Sequence, residues 1–292
     1  FTQTYSRTCT SAKTAASSNS RTLELLEDRT LLATVGYCGV DDVAIVATGT
    51  AADEFTVEEY TDATATCTGD KLRVRSTSSF TVTHGTTTHT VDGGAGEFAF
   101  FNGDVDTITI DLGANDGSAP DDKITVSQDA LRSYAALQTL TISTGNGNDE
   151  FITDEDEFSL TGGTDGLTFD GGLGTDTITA TIPSSGGDTL ILASDSLEKV
   201  GKGTINLDNF TGEYAELTGG AGHDTFDLKD FTGASGEVTV NGAGGNDELI
   251  GLRNSDNLWE VTGTNEGLSL IHISAPTSPR LISYAVFCLK KK

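Results

Sequence analysis

Aspartates that follow glycine-rich turns are the residues of this chain best suited to bind an ion. Two stretches carry them most clearly, Gly219-Gly-Ala-Gly-His-Asp-Thr-Phe-Asp227 and Gly171-Gly-Leu-Gly-Thr-Asp-Thr-Ile-Thr179. The glycines permit positive φ angles and bring backbone carbonyl oxygens together, and the aspartate closes the turn with a carboxylate. Carbonyl and carboxylate oxygens form the all-oxygen environment that Ca²⁺ prefers. We therefore expect calcium-binding turns in this chain.

Two shorter stretches repeat the same turn chemistry, Gly145-Asn-Gly-Asn-Asp-Glu-Phe151 and Gly245-Asn-Asp-Glu-Leu249. One isolated turn supplies about three ligands, whereas Ca²⁺ takes six to eight, so turns from different repeats must stack to complete a site. The alternative interpretation is that glycine and aspartate only shape tight turns, with aspartate side chains capping backbone N–H groups. Both interpretations concern the same candidate metal-binding residues: Asp149, Gly171, Gly172, Gly174, Asp176, Gly219, Gly220, Gly222, Asp224, Gly245 and Asp247.

The aspartate turns belong to a repeat that runs through residues 34–266. Its recurring element is an aspartate, a polar residue and a large apolar residue, followed by residues that favour strands. The stretch Thr144–Ala180 resembles Gly219–Gly251, which indicates a unit of about 70 residues. Copies of the element begin at Asp53, Asp106, Asp122, Asp149, Asp176, Asp224 and Asp247.

Short strands must position these turns, because the segments between them are rich in threonine and in apolar residues that alternate with polar ones. In Thr107–Leu112 this alternation places Ile108, Ile110 and Leu112 on one face. The 35 glycines and 4 prolines fit a chain with many turns. In the N-terminal half we predict strands at Val43–Val57, Leu72–Val74, Phe80–Val82, Thr87–Val91, Phe98–Phe101 and Thr107–Leu112.

The predicted fold is all-β, a right-handed parallel β-helix or β-solenoid with Gly/Asp turns. The alternative is an N-terminal β-sandwich followed by a short β-solenoid. We divide the chain into an export region, largely disordered with a short helix (1–33), a diverged β-repeat region (34–127), a connector (128–143), the regular repeats (144–266) and a tail (267–292). Residues 128–138 are interpreted either as one short helix or as a loop.

Two motifs resemble known families. Glu27-Asp-Arg-Thr-Leu-Leu32 resembles the LEPR/LEDR-x-LL segment near the N-termini of large exported planctomycete proteins. The glycine-rich turns resemble the GGxGxDxUx calcium-binding repeats of RTX proteins, where U is large and apolar. This second resemblance covers residues 144–266 well and 40–127 loosely, and it implies an extracellular, Ca²⁺-stabilised parallel β-roll. It is degenerate, because RTX repeats run in tandem whereas these aspartates are widely spaced.

The two ends of the chain carry separate signals. The sequence begins at Phe1 and contains no methionine, so we expect a fragment of a longer protein. Residues 267–292 lose the Gly/Asp/Thr texture and resemble translated sequencing-adapter read-through, which makes this tail non-native. A genuine basic apolar tail that anchors the protein to a membrane is the rival interpretation.

Charge and composition limit the partners. The net charge of −27 disfavours nucleic acid and anionic membranes, and no apolar run is long enough to cross a bilayer. Cys38 and Cys67 are expected either to pair or to remain two free thiols. His84 and His89 lie at an odd spacing on one Thr-rich segment, so we expect them to face opposite sides of a strand without sharing a metal.

No catalytic motif is present among those that define zinc proteases, serine hydrolases or nucleotide-binding loops. We therefore expect a non-catalytic structural or adhesive module, acidic and adhesin-like, in the extracellular space or on the cell surface. Its expected partners are calcium ions and a surface polysaccharide or another cell-surface protein. The alternatives are an accessory domain of a secreted enzyme and a β-helix enzyme that acts on carbohydrate.

Overall fold

The structure is a computed structural model of the chain. Short strands, separated by turns, make up most of its described residues. The structure describes residues 34–37, 42–48, 51–59, 71–91, 96–101, 105–113, 120–127, 137–154, 158, 160, 166–182, 185–210, 213–231, 237–251 and 272–274.

The described residues form β-strands and contain no α-helix, so the all-β prediction is confirmed. Each strand is short, in keeping with the spacing of the turn sequences. The strands are β1 (Thr34–Tyr37), β2 (Val43–Ala47), β3 (Glu54–Glu59), β4 (Lys71–Ser76), β5 (Phe80–His84), β6 (Thr87–Val91), β7 (Gly96–Phe101), β8 (Thr107–Asp111), β9 (Lys123–Ser127), β10 (Thr139–Ser143), β11 (Asn146–Gly147), β12 (Glu150–Thr153), β13 (Gly166–Asp170), β14 (Leu173–Gly174), β15 (Thr177–Thr181), β16 (Thr189–Leu192), β17 (Ser196–Lys199), β18 (Gly203–Asp208), β19 (Tyr214–Thr218), β20 (Thr225–Asp227), β21 (Val238–Asn241), β22 (Glu248–Ile250) and β23 (His272–Ser274).

Two large sheets contain nearly all of these strands. Sheet A has the order β1-β7-β4-β3-β9-β12-β15-β19-β21, and sheet B has the order β23-β22-β20-β16-β17-β18-β13-β10-β8-β2-β5-β6. A third pairing joins only β11 and β14. Neither large sheet closes on itself within the described residues. From β8 to β22 the chain passes repeatedly from one large sheet to the other, so its turns fall into two groups, one for each direction of crossing.

Neighbouring strands in the central part of each sheet are parallel and keep one register. In sheet A this series is β3-β9-β12-β15-β19-β21, and in sheet B it is β2-β8-β10-β13-β18. The strand β17 interrupts the parallel order of sheet B, because it pairs antiparallel with both β16 and β18. The parallel order resumes from β16 through β20 to β22.

The two sheets share one hydrophobic core. Burial alternates along strands such as β2, β8, β10 and β13. As the sequence predicted, Ile108, Ile110 and Leu112 are all fully buried. Aromatic pairs join the sheets across the core. The rings of Phe55 in sheet A and Phe80 in sheet B lie 5.4 Å apart, and those of Phe151 and Phe169 lie 5.0 Å apart.

The predicted strands agree with the structure, except that one predicted strand is two strands. One expectation about the segment that carries His84 and His89 is also wrong. Val43–Val57 is two strands, β2 in sheet B and β3 in sheet A. The expectation that His84 and His89 face opposite sides is wrong, since Gly85, at φ +55°, lies in the connection that folds β5 and β6 into an antiparallel hairpin. Opposed partners in such a hairpin share a face, so His84 and His89, which are diagonal neighbours in this register, lie on the same face.

Several sequence-based predictions concern residues outside those the structure describes. They include the short helix and export motif of residues 1–33, most of the connector helix at 128–138, Cys38, Cys67 and most of the 267–292 tail. Within that tail, β23 pairs in parallel with β22. No helix in the described part of the chain has the length and apolar character needed to span a membrane.

Candidate functional site

A buried acidic residue stands directly before five parallel strands of sheet A. We call these residues the first carboxylate ladder. Each is at most 3% exposed, although carboxylates are normally found at protein surfaces. The members are Asp53, Asp122, Asp149, Asp176 and Glu213, which precede β3, β9, β12, β15 and β19.

Backbone N–H groups explain why carboxylates occupy these positions. The N–H of Asp53 donates to Oδ1 of Asp122 over 2.7 Å, and the N–H of Asp122 donates to Oδ1 of Asp149 over 2.7 Å. The N–H of Asp149 in turn donates to Oδ1 of Asp176, and the N–H of Asp176 donates to Oε2 of Glu213. The carboxylates of Asp122, Asp149, Asp176 and Glu213 therefore each satisfy a buried N–H donor on the neighbouring strand, as buried polar groups require.

Backbone carbonyl groups of the same residues complete each step of the ladder. The N–H of Glu150 donates to the carbonyl oxygen of Asp122, and the N–H of Thr177 donates to that of Asp149, both over 2.8 Å. Asp149, for example, binds the preceding strand of the sheet through its side chain and the following strand through its carbonyl oxygen. These bonds fix the register at which β3, β9, β12, β15 and β19 begin.

A second carboxylate ladder, formed by Asp188, Asp224 and Asp247, stands before β16, β20 and β22 of sheet B. The N–H of Asp188 donates to Oδ1 of Asp224 over 2.8 Å, and the N–H of Asp224 donates to Oδ1 of Asp247 over 3.0 Å. The other oxygen of Asp224, Oδ2, accepts the N–H of Gly220 in its own turn over 2.8 Å. Both oxygens of the Asp224 carboxylate are therefore bound to backbone.

The predicted metal-binding residues divide between these two ladders. Turns 144–149 and 171–176 carry the chain from sheet B to sheet A, and we call them the first turn stack. Turns 186–188, 219–224 and 242–247 carry it from sheet A to sheet B and form the second turn stack. Asp149, Gly171, Gly172, Gly174 and Asp176 thus lie together in the first, whereas the remaining candidates lie in the second: Gly219, Gly220, Gly222, Asp224, Gly245 and Asp247.

Glycine is required in both stacks because neighbouring turns approach through their backbones. A Cβ atom placed on Gly172, whose φ is +85°, would lie 1.9 Å from the carbonyl oxygen of Gly145. In the second stack, a Cβ on Gly245 would lie 1.6 Å from the carbonyl oxygen of Gly222. No side chain fits at such distances, so the glycines permit turn-on-turn packing as well as the turn conformation itself.

Burial raises the pKa of three members of the first ladder, Asp149, Asp176 and Glu213. Burial raises the pKa of Asp176 to about 7, with the charges of Asp149, Glu213 and Asp170 adding to the effect and the N–H of Asp149 opposing it. Burial likewise raises the pKa of Asp149 and of Glu213. Oδ2 of Asp176 is buried and accepts no hydrogen bond from the protein. Such an oxygen is suited to a proton or to a cation.

The second ladder has a cation at its end. Lys199, at the end of β17, is fully buried, and its Nζ lies 3.7 Å from Oδ2 of Asp188. The antiparallel strands β16 and β17 interrupt the parallel series here. The ammonium group lies where that series ends, and its charge compensates the Asp188 carboxylate.

Sequence reasoning missed three members of this arrangement. Glu213 was not predicted because the recurring sequence element was defined by aspartate. Glu213 nevertheless stands directly before β19, as the aspartates stand before their strands. Asp188 follows Gly186 and Gly187 and begins the same aspartate–polar–apolar element, so that signal was available. Lys199 gave no signal, because its position depends on the β16–β17 hairpin.

The ligand set within the described residues sets limits on metal binding. No cluster of three or more His, Cys, Asp or Glu side chains in this part of the chain is arranged to hold an ion. A cation at a turn would therefore depend on carbonyl oxygens together with single carboxylate oxygens. Oδ2 of Asp176 in the first stack fits that role, whereas Oδ2 of Asp224 in the second is already bound to Gly220.

The chain matches no protein-family model and no curated protein.

Proposed function

We propose that this chain is a non-catalytic structural and adhesive module of an exported protein, working outside the cell or on its surface. The observation that carries the proposal is the pair of carboxylate ladders. In them, carboxylates such as those of Asp149, Asp176 and Asp224 accept backbone N–H groups from neighbouring strands. Acids that bind the backbone of neighbouring strands in this way maintain a repeating scaffold.

The proposed architecture is a right-handed parallel β-solenoid. Its support is the repeated passage of the chain between two sheets and the parallel register of successive strands. The N-terminal strands β2 and β3 join the same two sheets as the regular repeats, which favours one continuous solenoid over a separate N-terminal β-sandwich. In a solenoid each repeat contacts only its neighbours, so the fold gives an elongated body with long, regular surfaces.

The outer face of sheet B is the proposed adhesive surface. Strand pairing aligns Thr109, Thr141 and Thr168 in one row, continued by Asn206, and a second row aligns Thr107 with Thr139. These residues alternate with the buried ones on their strands, so their side chains face away from the core. Hydroxyl and amide groups repeated at the spacing of strands suit hydrogen bonding to a linear polysaccharide.

Calcium is proposed to stabilise the first turn stack. Ca²⁺ takes oxygen ligands, and Asp176 and Asp149, with carbonyl groups of their turns, would hold it. When bound, the ion would offset the repulsion from neighbouring carboxylates, which adds to the effect of burial in raising the pKa of Asp176. The proposal assigns the second stack a weaker role, because both carboxylate oxygens of Asp224 are engaged by backbone N–H groups.

One experiment tests the adhesive and the non-catalytic parts together. The full chain is incubated with a panel of insoluble neutral and acidic polysaccharides, and both its retention and the release of reducing ends are measured. Retention without bond cleavage is expected, and Thr141→Ala combined with Thr168→Ala should weaken it, while Thr218→Ala on sheet A serves as the matched control. Bond cleavage would overturn the non-catalytic assignment, and absence of retention would overturn polysaccharide adhesion.

A further inference from the structure

The hairpin of β5 and β6 brings two histidines to one face of sheet B. In its register Val82 is opposite His89, and His84 is opposite Thr87. Opposed residues of an antiparallel pair project to the same side, and residues two positions apart on one strand do so as well. His84 and His89 are therefore diagonal neighbours on the face that buries Val82. This is the separation that long side chains bridge between strands.

The two imidazole rings converge at their Nε2 atoms. These atoms lie 3.1 Å apart, whereas the ring centroids lie 5.2 Å apart and the ring planes are inclined by 24°. Because the nitrogen atoms are closer than the centroids, the rings lean together at their Nε2 ends. At this distance one nitrogen donates a proton to the other, so one Nε2–H serves both rings.

A metal ion can replace that shared proton with little movement of either ring. Metal–imidazole bonds are about 2.0–2.1 Å long, so two nitrogens 3.1 Å apart subtend an angle of roughly 100° at a bridging ion. This lies between the right angle of square-planar coordination and the tetrahedral angle. Imidazole nitrogens suit Zn²⁺, Ni²⁺ and Cu²⁺, whereas Ca²⁺ and Mg²⁺ prefer oxygen.

The strands around the pair hold it in place. On the side away from β6, β5 pairs with β2, and there Val43 is opposite His84. The hydroxyl groups of Thr83 and Thr88 lie 3.0 Å apart and tie the two strands together. Both histidines are half-buried, and the neighbouring Thr87 and Thr88 are exposed, so the pair lies at a partly exposed end of the hairpin.

We propose that His84 and His89 form a bidentate site for a divalent transition-metal ion such as Zn²⁺, Ni²⁺ or Cu²⁺, with water completing the coordination. The site is separate from the oxygen-lined turns in both position and chemistry. The module would then bind two classes of ion, Ca²⁺ through oxygen atoms and a transition metal through imidazole nitrogens. The ion cross-links β5 to β6, which ends sheet B among the described strands.

The test measures Ni²⁺ and Zn²⁺ binding to the full chain by isothermal titration calorimetry, with His84→Gln, His89→Gln and His223→Gln compared. Each of the first two substitutions removes one of two protein ligands, so its affinity should fall at least about tenfold, the lower end of the loss seen even for outer-shell partners. His223 is exposed on a turn of the other group and should leave binding unchanged.

A second measurement locates the ion independently of affinity. Paramagnetic Ni²⁺ or Cu²⁺, added below stoichiometry, should broaden the amide resonances of residues 80–91 first. Circular dichroism of the three variants checks that each retains the β-sheet signal. Unchanged affinity in His84→Gln and His89→Gln, or broadening that begins elsewhere, would overturn the proposal, and so would a wild-type chain that binds neither metal.

Discussion

The backbone N–H of Asp149 donates a 2.9 Å hydrogen bond to Oδ1 of Asp176, the residue that occupies the same place before the next strand of sheet A. The acceptor is fully buried, and burial raises its pKa to about 7. The Asp176 carboxyl group therefore stabilises the fold as a hydrogen-bond acceptor, whereas its ionisation destabilises the fold. The first two predictions separate these two effects.

Asp176 should make the fold less stable as the pH rises. Its folded-state pKa of about 7 lies above the usual value of 3.8, so the folded chain binds this proton more tightly than the unfolded chain does. The resulting stabilisation is complete below about pH 4 and is lost as the pH rises through 7. Asp176→Asn keeps an oxygen acceptor without the charge. It should therefore be more stable than wild type at pH 8, by on the order of 2–4 kcal/mol, and nearly equal to it at pH 4.

Urea unfolding at both pH values measures this difference. Asp154→Asn, at an exposed position, is the matched control and should show no pH-dependent gain. A constant difference between Asp176→Asn and wild type from pH 4 to pH 8 would show that Asp176 titrates normally.

Asp224 should matter as an acceptor more than as a charge. Asp224→Ala leaves the N–H groups of Asp188 and Gly220 without their acceptor, which should destabilise the chain by about 2–5 kcal/mol. Asp224→Asn keeps one oxygen acceptor and should lose roughly half as much. Asp208→Ala, at an exposed position on β18, provides the control in chemical unfolding. Equal losses in the alanine and asparagine variants would contradict the acceptor role.

Three glycine-to-alanine variants should separate backbone strain from steric exclusion. Gly186 has open space where a Cβ would stand, and Gly201 has open space but a φ of +77°. Gly172 has both a φ of +85° and a carbonyl oxygen 1.9 Å from the Cβ position. We expect almost no loss for Gly186→Ala, about 1 kcal/mol for Gly201→Ala and more than 2 kcal/mol for Gly172→Ala. Thermal unfolding gives the order, and a Gly172→Ala loss no larger than that of Gly201→Ala would argue against close turn stacking.

Calcium should raise the midpoint of thermal unfolding of the full chain, because it binds only the folded turns. Millimolar Ca²⁺ is compared with EGTA, and Mg²⁺ serves as the ionic control. The rise should shrink in Asp176→Asn and persist in Asp224→Asn. No Ca²⁺-specific rise, with the fold intact, would mean that glycine and aspartate only shape the turns.

Local sequence predicts the strands of this chain well and their arrangement less well. Alternation located β8 and the inward face of Ile108 and Ile110, because burial of every second residue is a local property. The two turns at Gly171 and Gly219 look alike in sequence, yet one leads into sheet A and the other into sheet B. Which sheet follows a turn depends on the strands already placed, and no residue within the turn specifies it.

The site shows the same division. The aspartates and glycines were predicted from their spacing, since turn chemistry is local. The capping of Asp188 by Lys199 and the pairing of His84 with His89 depend on hairpins that bring separate segments together. Period-two reasoning failed for the histidines because it assumed one continuous strand where Gly85 reverses the chain.

The ladders also set an order for folding. Their hydrogen bonds join residues 23 to 37 positions apart from Asp122 onward, but the bond from Asp53 to Asp122 spans 69 positions. Closing the longer loop costs more chain entropy, and contacts distant in sequence form more slowly. We expect sheet A to nucleate among its later strands and to add β3 afterwards, so pulse-labelled amides of β12 and β15 should gain protection before those of β3. An early translated N-terminal half would then wait for the C-terminal half before it reaches its final pairing.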